Sequence, residues 1–208
     1  SPGIGNYITM AQAFSKYKKD HTDTKQTCVI AHGTGTFQNR STESDVLSKC
    51  ATSLNMNDLK VTGLKGYLGH TMGPAGGDQL ACALGIFSHG IIPGLNSTPK
   101  LADDVVTENL NFCMQNEEIN IQDLDAFFLN AKGFGGNNAT ASIYNSNFVT
   151  SLLPQIFTKN EINSYTKSLE AVKNNRLSYQ NKCLSGNFDL LYSCLLYTSP
   201  SPRDSSKS

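Results

Sequence analysis

Three short motifs gather the residues able to do chemistry. His32 opens His-Gly-Thr-Gly-Thr at residues 32–36, His70 closes Lys-Gly-Tyr-Leu-Gly-His at residues 65–70, and residues 133–136 read Gly-Phe-Gly-Gly. A neutral imidazole offers one N–H donor and one acceptor nitrogen, so a pair of them could stabilise charge developing on an oxygen or move a proton. The surrounding glycines suit such a site, because a residue without a Cβ lets the backbone approach a ligand closely. Thr34 and Thr36 add hydroxyls that can hydrogen-bond a polar arm of a substrate, and Lys65 adds a cation five residues before His70. The other two histidines read as structural. His21 sits in a polar loop, and His89 precedes Gly90 at a helix end, where an imidazole complements the dipole.

Groups like these need strands that end at them. Residues 27–31 (Thr-Cys-Val-Ile-Ala) form an apolar, β-branched run that stops at His32 and predicts a buried strand. Residues 60–62 predict a second short strand, and residues 125–130 and 139–144 predict two more, flanking the 133–136 turn as a hairpin. Helical spacing appears over residues 7–19, with Tyr7, Ile8, Ala11, Phe14 and Tyr17 on one side. Thr42 can cap a helix that groups Val46, Leu47 and Cys50. Residues 73–77 open another helix, with Leu80, Leu84 and Phe87 as its apolar stripe. Small Ala81, Ala83 and Gly85 let it pack closely, as a central helix would, until Ile-Ile-Pro-Gly at 91–94 breaks it. Strands alternating with helices indicate an α/β domain. After Tyr144 the texture changes. Asn160 can cap a peripheral helix over residues 161–177, striped by Ile162, Tyr165, Leu169 and Val172. Residues 194–208 have no packing logic and read as translated adapter sequence, expected to be unstructured.

The 208 residues suit one domain with a sizeable core. Seventeen basic residues balance seventeen acidic ones, giving a formal net charge of +0, so there is no electrostatic case for nucleic acid or an anionic membrane surface. No apolar run is long enough to span a bilayer. The chain opens without a leader-type segment and without Met, and so reads as cut from a longer frame. Cys28, Cys50, Cys82, Cys113, Cys183 and Cys194 are widely spaced, with no Cys-x-x-Cys and no zinc-type spacing to a histidine. Reduced, mostly buried thiols in a cytoplasmic protein are expected, and no metal site.

In this order and at these spacings, the motifs resemble the C-terminal half of a β-ketoacyl-acyl-carrier-protein synthase, a condensing enzyme of the thiolase-like superfamily. The resemblance covers about residues 7–144. It implies an α/β chain forming the C-terminal half of a thiolase-like layered αβαβα fold, a mixed sheet flanked by helices. The implied reaction is decarboxylative Claisen condensation of an acyl thioester with malonyl-acyl-carrier-protein, giving 3-oxoacyl-acyl-carrier-protein in fatty-acid or polyketide synthesis. His32 and His70 match the catalytic histidines. Lys65 matches a lysine that organises the polar network through a carboxylate, for which Glu43 stands in place. The second histidine is implied to lie near the start of a buried helix, whose dipole helps keep it neutral. Thr34 and Thr36 would line the channel for phosphopantetheine, which the acyl carrier protein carries, so the chain itself binds no cofactor. The Phe134 amide would complete an oxyanion hole and its ring would gate the acyl pocket, with Gly133 and Gly135 letting the backbone lie against the nucleophile. The implied partners are acyl carrier protein and, for the full-length enzyme, a second copy in a homodimer.

Two positions depart from the family pattern: Arg40 replaces a commonly acidic residue, and Lys132 replaces an apolar one beside the glycine turn. Either could contact the other's loop or a substrate carboxylate. No cysteine sits at a strand-to-helix turn, so the nucleophile is expected in a missing N-terminal half, and the chain is expected to be inactive alone. A non-catalytic partner of the chain-length-factor type is the alternative, although retention of both histidines counts against it. A thiolase would need a second cysteine near the glycine turn, which residues 132–136 do not offer. The expected organisation is a synthase C-terminal domain at 1–144, a helical extension at 145–193 and the adapter-like tail at 194–208.

Overall fold

The run that stops at His32 forms the middle strand of a five-stranded sheet in the computed structural model, which describes residues 3–20 and 26–187. In chain order the elements are α1 (Ile4–Asp20), β1 (Gln26–Ile30), α2 (Phe37–Ser53), β2 (Leu59–Thr62), α3 (Lys65–Leu68), α4 (Ala75–His89), β3 (Ile91–Ile92), β4 (Leu110–Phe112), β5 (Glu117–Glu118), β6 (Leu124–Lys132), β7 (Asn138–Tyr144), α5 (Ser146–Ile156) and α6 (Lys159–Leu184). The main sheet has the order β4-β2-β1-β6-β7. Its first four strands are parallel and β7 runs antiparallel to β6, so the sheet is mixed. β3 and β5 form a separate antiparallel pair. Every strand expected from the sequence is present, whereas β3, β4 and β5 are too short for any periodicity to register.

One strand supplies two packing layers because successive side chains point to opposite faces. Cys28 and Ile30 of β1, with Phe127 and Leu129 of β6, pack on Ala83 and Ile86 of α4. Val29 and Phe128 point the other way, against Phe14 of α1 and Leu47 of α2. The Phe14 and Phe128 ring centroids are 4.2 Å apart. Full burial of a side chain of this size contributes about 2–3 kcal/mol. Helices on both faces explain why residues 28–30 of β1 and 126–129 of β6 read as unbroken apolar runs rather than as alternation.

Several helix details differ from expectation. α2 starts at Phe37 with Thr36 at its N-cap, and Thr42 lies inside it, its hydroxyl donating to the Gln38 carbonyl at 2.7 Å. The start is set by Gly33 and Gly35, whose φ of 56° and 71° turn the chain out of β1 and into the helix. Val46, Leu47 and Cys50 share its buried side, as expected. On α4 the buried side is Gln79, Ala83 and Ile86, one residue back from the leucine stripe. Leu80 and Leu84 remain 38% and 53% exposed. Small Ala83 is what lets the helix approach the sheet. Gly90, rather than the 91–94 segment, ends α4, with φ 69° and its N–H on the Ile86 carbonyl. A Cβ there would sit 2.8 Å from the Ile119 carbonyl oxygen, so space as well as conformation requires glycine.

Contacts divide the chain into two units, Ser1–Ser151 and Leu152–Ser208. In the second, Thr158 and not Asn160 caps α6. Its hydroxyl accepts the Glu161 N–H while the Glu161 carboxylate accepts the Thr158 N–H at 2.8 Å. This reciprocal pair satisfies two donors where a lone asparagine would satisfy one. α6 runs past residue 177 to Leu184, and none of its residues is buried. No helix among the described residues is long and apolar enough to cross a membrane. His21, Cys194 and the 194–208 segment lie outside the described residues.

Candidate active site

Where β1 ends, Ala31 still donates its N–H to the Thr62 carbonyl at 2.8 Å, and His32 follows, 7% exposed. The His32 N–H donates to Glu43 Oε1 at 2.8 Å and the Gly33 N–H to Oε2 at 3.0 Å. Asn39 Nδ2 reaches Oε2 at 2.9 Å, and Asn130 Nδ2 donates to Oε1. Four donors fill the acceptor sites of one carboxylate, which is why Glu43 can be buried and why α2 fixes the loop after β1.

The His32 ring is held separately. Its Nδ1 accepts the Lys132 backbone N–H at 3.3 Å, so the neutral ring bears its proton on Nε2. Burial first, then the Lys65 cation, bring its pKa down to about 4 against the opposing Glu43 carboxylate. The ring is therefore uncharged at neutral pH. Lys65 Nζ donates to the His32 carbonyl rather than to Glu43, whose oxygens are already taken. Burial lowers the Lys65 pKa, with Glu43 and Asp78 opposing.

His70 does not lie at the start of a buried helix. It is exposed, in the loop between α3 and α4, and α4 begins later, at Ala75 after Pro74. Proline disfavours helical backbone in the residue before it, so the helix cannot extend back to the histidine. A dipole effect fades within the first turn. What orients the ring is local: the Met72 N–H donates to His70 Nδ1 at 3.1 Å, from a residue with φ 60°. The His70 Nε2 therefore carries the proton in the neutral ring too. The two imidazoles meet edge on, with centroids 5.4 Å apart and planes at 81°.

In the glycine turn, the Gly133 N–H bonds the Asn137 carbonyl at 2.8 Å and Gly135 has φ 75°. The Phe134 ring is 88% exposed. The Thr34 and Thr36 hydroxyls lie 3.3 Å apart on the exposed side of their loop. Arg40 does not contact the Lys132 loop: it pairs with Asp104 at 2.8 Å. Lys132 Nζ bonds Asn39 Oδ1 at 3.0 Å, next to Arg40 in α2. Asn39, Gln79 and Asn130 are site residues that no motif flagged, and the sequence did carry a signal for two of them. Gln79 is a polar residue ahead of an apolar helix stretch, and Asn130 ends an apolar strand run.

Among the described residues no group of histidine, cysteine or carboxylate side chains could hold a metal ion. The described cysteines are free, and Cys28, Cys50 and Cys113 are buried. Burial raises the Cys28 thiol well above its usual range, Cys50 and Cys82 to about 11, and Cys113 to about 12. A nucleophilic thiol needs the opposite shift.

The parallel-centred mixed sheet between helices, ending at paired imidazoles, has a thiolase-like fold. Residues 3–98 match the family described as beta-ketoacyl synthase, C-terminal domain. Among individual proteins, it is 34% identical over 197 residues to the beta-ketoacyl-[acyl-carrier-protein] synthase FabY of Pseudomonas aeruginosa, covering 92% of this chain and 31% of that protein. The crystal structure of that ketosynthase superposes with a TM-score of 0.82 at 33% identity, over 90% of this chain and 30% of the other. A ketosynthase from module 6 of the bacillaene synthase of Bacillus subtilis shares the fold, with a TM-score of 0.56 at 19% identity over 67% of this chain and 27% of its own. The chain thus spans about a third of the length of the curated relative it matches.

Proposed function

We propose that this chain supplies the two-histidine half of a condensing site. An acyl group is held as a thioester on a cysteine from polypeptide outside these 208 residues. Malonyl-acyl-carrier-protein loses carbon dioxide, and the electron pair of the broken C–C bond becomes an enolate. The enolate attacks the acyl thioester, the cysteine thiolate leaves, and 3-oxoacyl-acyl-carrier-protein is released. What supports this reading is the pair of imidazoles 5.4 Å apart, each with Nδ1 taken by a backbone N–H and so each offering an Nε2–H. Two preorganised donors on the malonyl thioester oxygen stabilise charge as it develops. The low pKa of His32 keeps that donor neutral, which avoids burying an imidazolium.

In this reading Lys65 and Glu43 hold the His32 loop, and Thr34 and Thr36 line the path of the carrier's phosphopantetheine. Gly133, Phe134 and Gly135 shape the oxyanion and acyl side of the site. The full-length enzyme is a cytoplasmic homodimer of lipid synthesis, with residues 1–144 as its synthase C-terminal domain and 145–193 as a helical extension. The test is malonyl decarboxylation by full-length protein carrying His32→Ala or His70→Ala. Each change is expected to slow it by about 100-fold or more. Rates unchanged in both variants would overturn the reading.

A further inference from the structure

Behind the imidazoles, on the face of the sheet opposite Glu43, lies Gln79 of α4. It is 3% exposed, and the two hydrogens of its Nε2 serve three carbonyls, one of them shared: Ile30 at 3.0 Å, Ala31 at 3.0 Å and Asn130 at 2.9 Å. Ile30 and Ala31 immediately precede His32, and Asn130 stands two residues before Lys132. The β1–β6 register ends at Ile30 and Leu129, so past this point the ladder no longer fixes the distance between the two chain ends. Yet the Lys132 N–H must still reach His32 Nδ1. At 3.3 Å that bond is near the long end of hydrogen-bonding distance, and a small widening would break it. Gln79 binds both ends where the ladder stops.

Packing does not call for a polar residue here. The other buried residues of α4 are Ala83 and Ile86, and the cluster they join is apolar. A buried amide is tolerated because its donors are satisfied, and the three carbonyls converge on it from two different strands. A second tie runs on the opposite side. Lys132 Nζ donates to Asn39 Oδ1, Asn39 to Glu43 Oε2, and the His32 N–H to Glu43 Oε1. With the Lys132 N–H on the His32 ring, these bonds close a circuit of side chains, while Gln79 spans the backbones beneath it.

We propose that Gln79 is a positioning residue of the two-histidine site: by cross-tying the ends of β1 and β6 it keeps the Lys132 N–H on His32 Nδ1 and so fixes the Nε2–H tautomer. Its value to turnover rests on the condensing reading; its effect on the tautomer does not. The experiment is nitrogen-15 NMR of the histidine rings in the full-length protein, alongside decarboxylation kinetics. Wild-type His32 should show a bare, hydrogen-bonded Nδ1 and a protonated Nε2, and the Gln79 side-chain amide protons should exchange as slowly as the β1–β6 ladder. A proton on Nδ1, or amide exchange at the free rate, overturns the proposal whether or not any variant folds.

Gln79→Met removes the donors at similar length, and Gln79→Leu removes them with a shorter side chain. Both should give mixed tautomers and a fall of roughly 100-fold in kcat, with KM changed much less and circular dichroism preserved. A single wild-type tautomer in either folded variant overturns the proposal. If His32→Ala and His70→Ala both leave decarboxylation intact, the condensing reading falls while the ring spectra still decide the role of Gln79.

Discussion

The loop after β1 and the loop before α4 each deliver an imidazole, but they hold it on different scales. His32 has its N–H on Glu43 of α2, its carbonyl on Lys65 of α3 and its ring on Lys132 of β6. His70 has its ring on Met72, two residues away, and its side chain is exposed. Both arrangements leave Nε2–H free to donate. The first also sets the acid strength of the ring by burial, whereas the second sets orientation through a turn. One donor is therefore built into the core, and the other is carried on a local device beside it.

The largest expected effect comes from removing the carboxylate that separates these two plans. Glu43→Ala leaves four donors around a buried site without their acceptor, and should cost about 3 kcal/mol or more in urea unfolding. Next, His32→Ala orphans the Lys132 N–H and should cost about 1–3 kcal/mol. His70→Ala should stay within about 0.5 kcal/mol, as at other surface positions. Equal costs for the two histidines would erase the distinction.

A smaller effect appears against pH. The folded pKa of His32 is about 4, below the ordinary imidazole value of 6.5, so the unfolded chain binds a proton that the folded chain refuses. This contribution is fully present above about pH 6.5 and is lost as pH falls toward 4. Urea midpoints should decline over that window, and His32→Asn should flatten the decline. The smallest effect is expected at the glycine turn, where Phe134→Ala should change unfolding by no more than about 0.5 kcal/mol, because the ring is exposed.

What the sequence made legible follows from local chemistry. The β1 run, the β6–β7 hairpin and the one-sided burial of α2 appear as composition and period, and so does the placing of His32 at a strand end. The supports of the site are different in kind. Asn130 meets Glu43 across 87 positions and Gln79 meets Ile30 across 49, so neither bond leaves a periodic trace. The Thr42 and Asn160 caps fail for a related reason: several residues near a helix start can cap, and the glycine turn before Phe37 and the reciprocal pair at Thr158 decide between them. The leucine stripe of α4 misleads because the sheet accepts small Ala83 where leucines would hold the helix away.

The His32–Lys132 bond joins residues 100 positions apart. A ribosome adding roughly 5–20 residues per second needs about 5–20 s to cover that stretch. For that interval β1 has no β6 beside it, and the His32 ring lacks the N–H that selects its tautomer. Nascent chains therefore carry the histidine long before they carry its chemistry, which begins only when the last strands of the sheet are made.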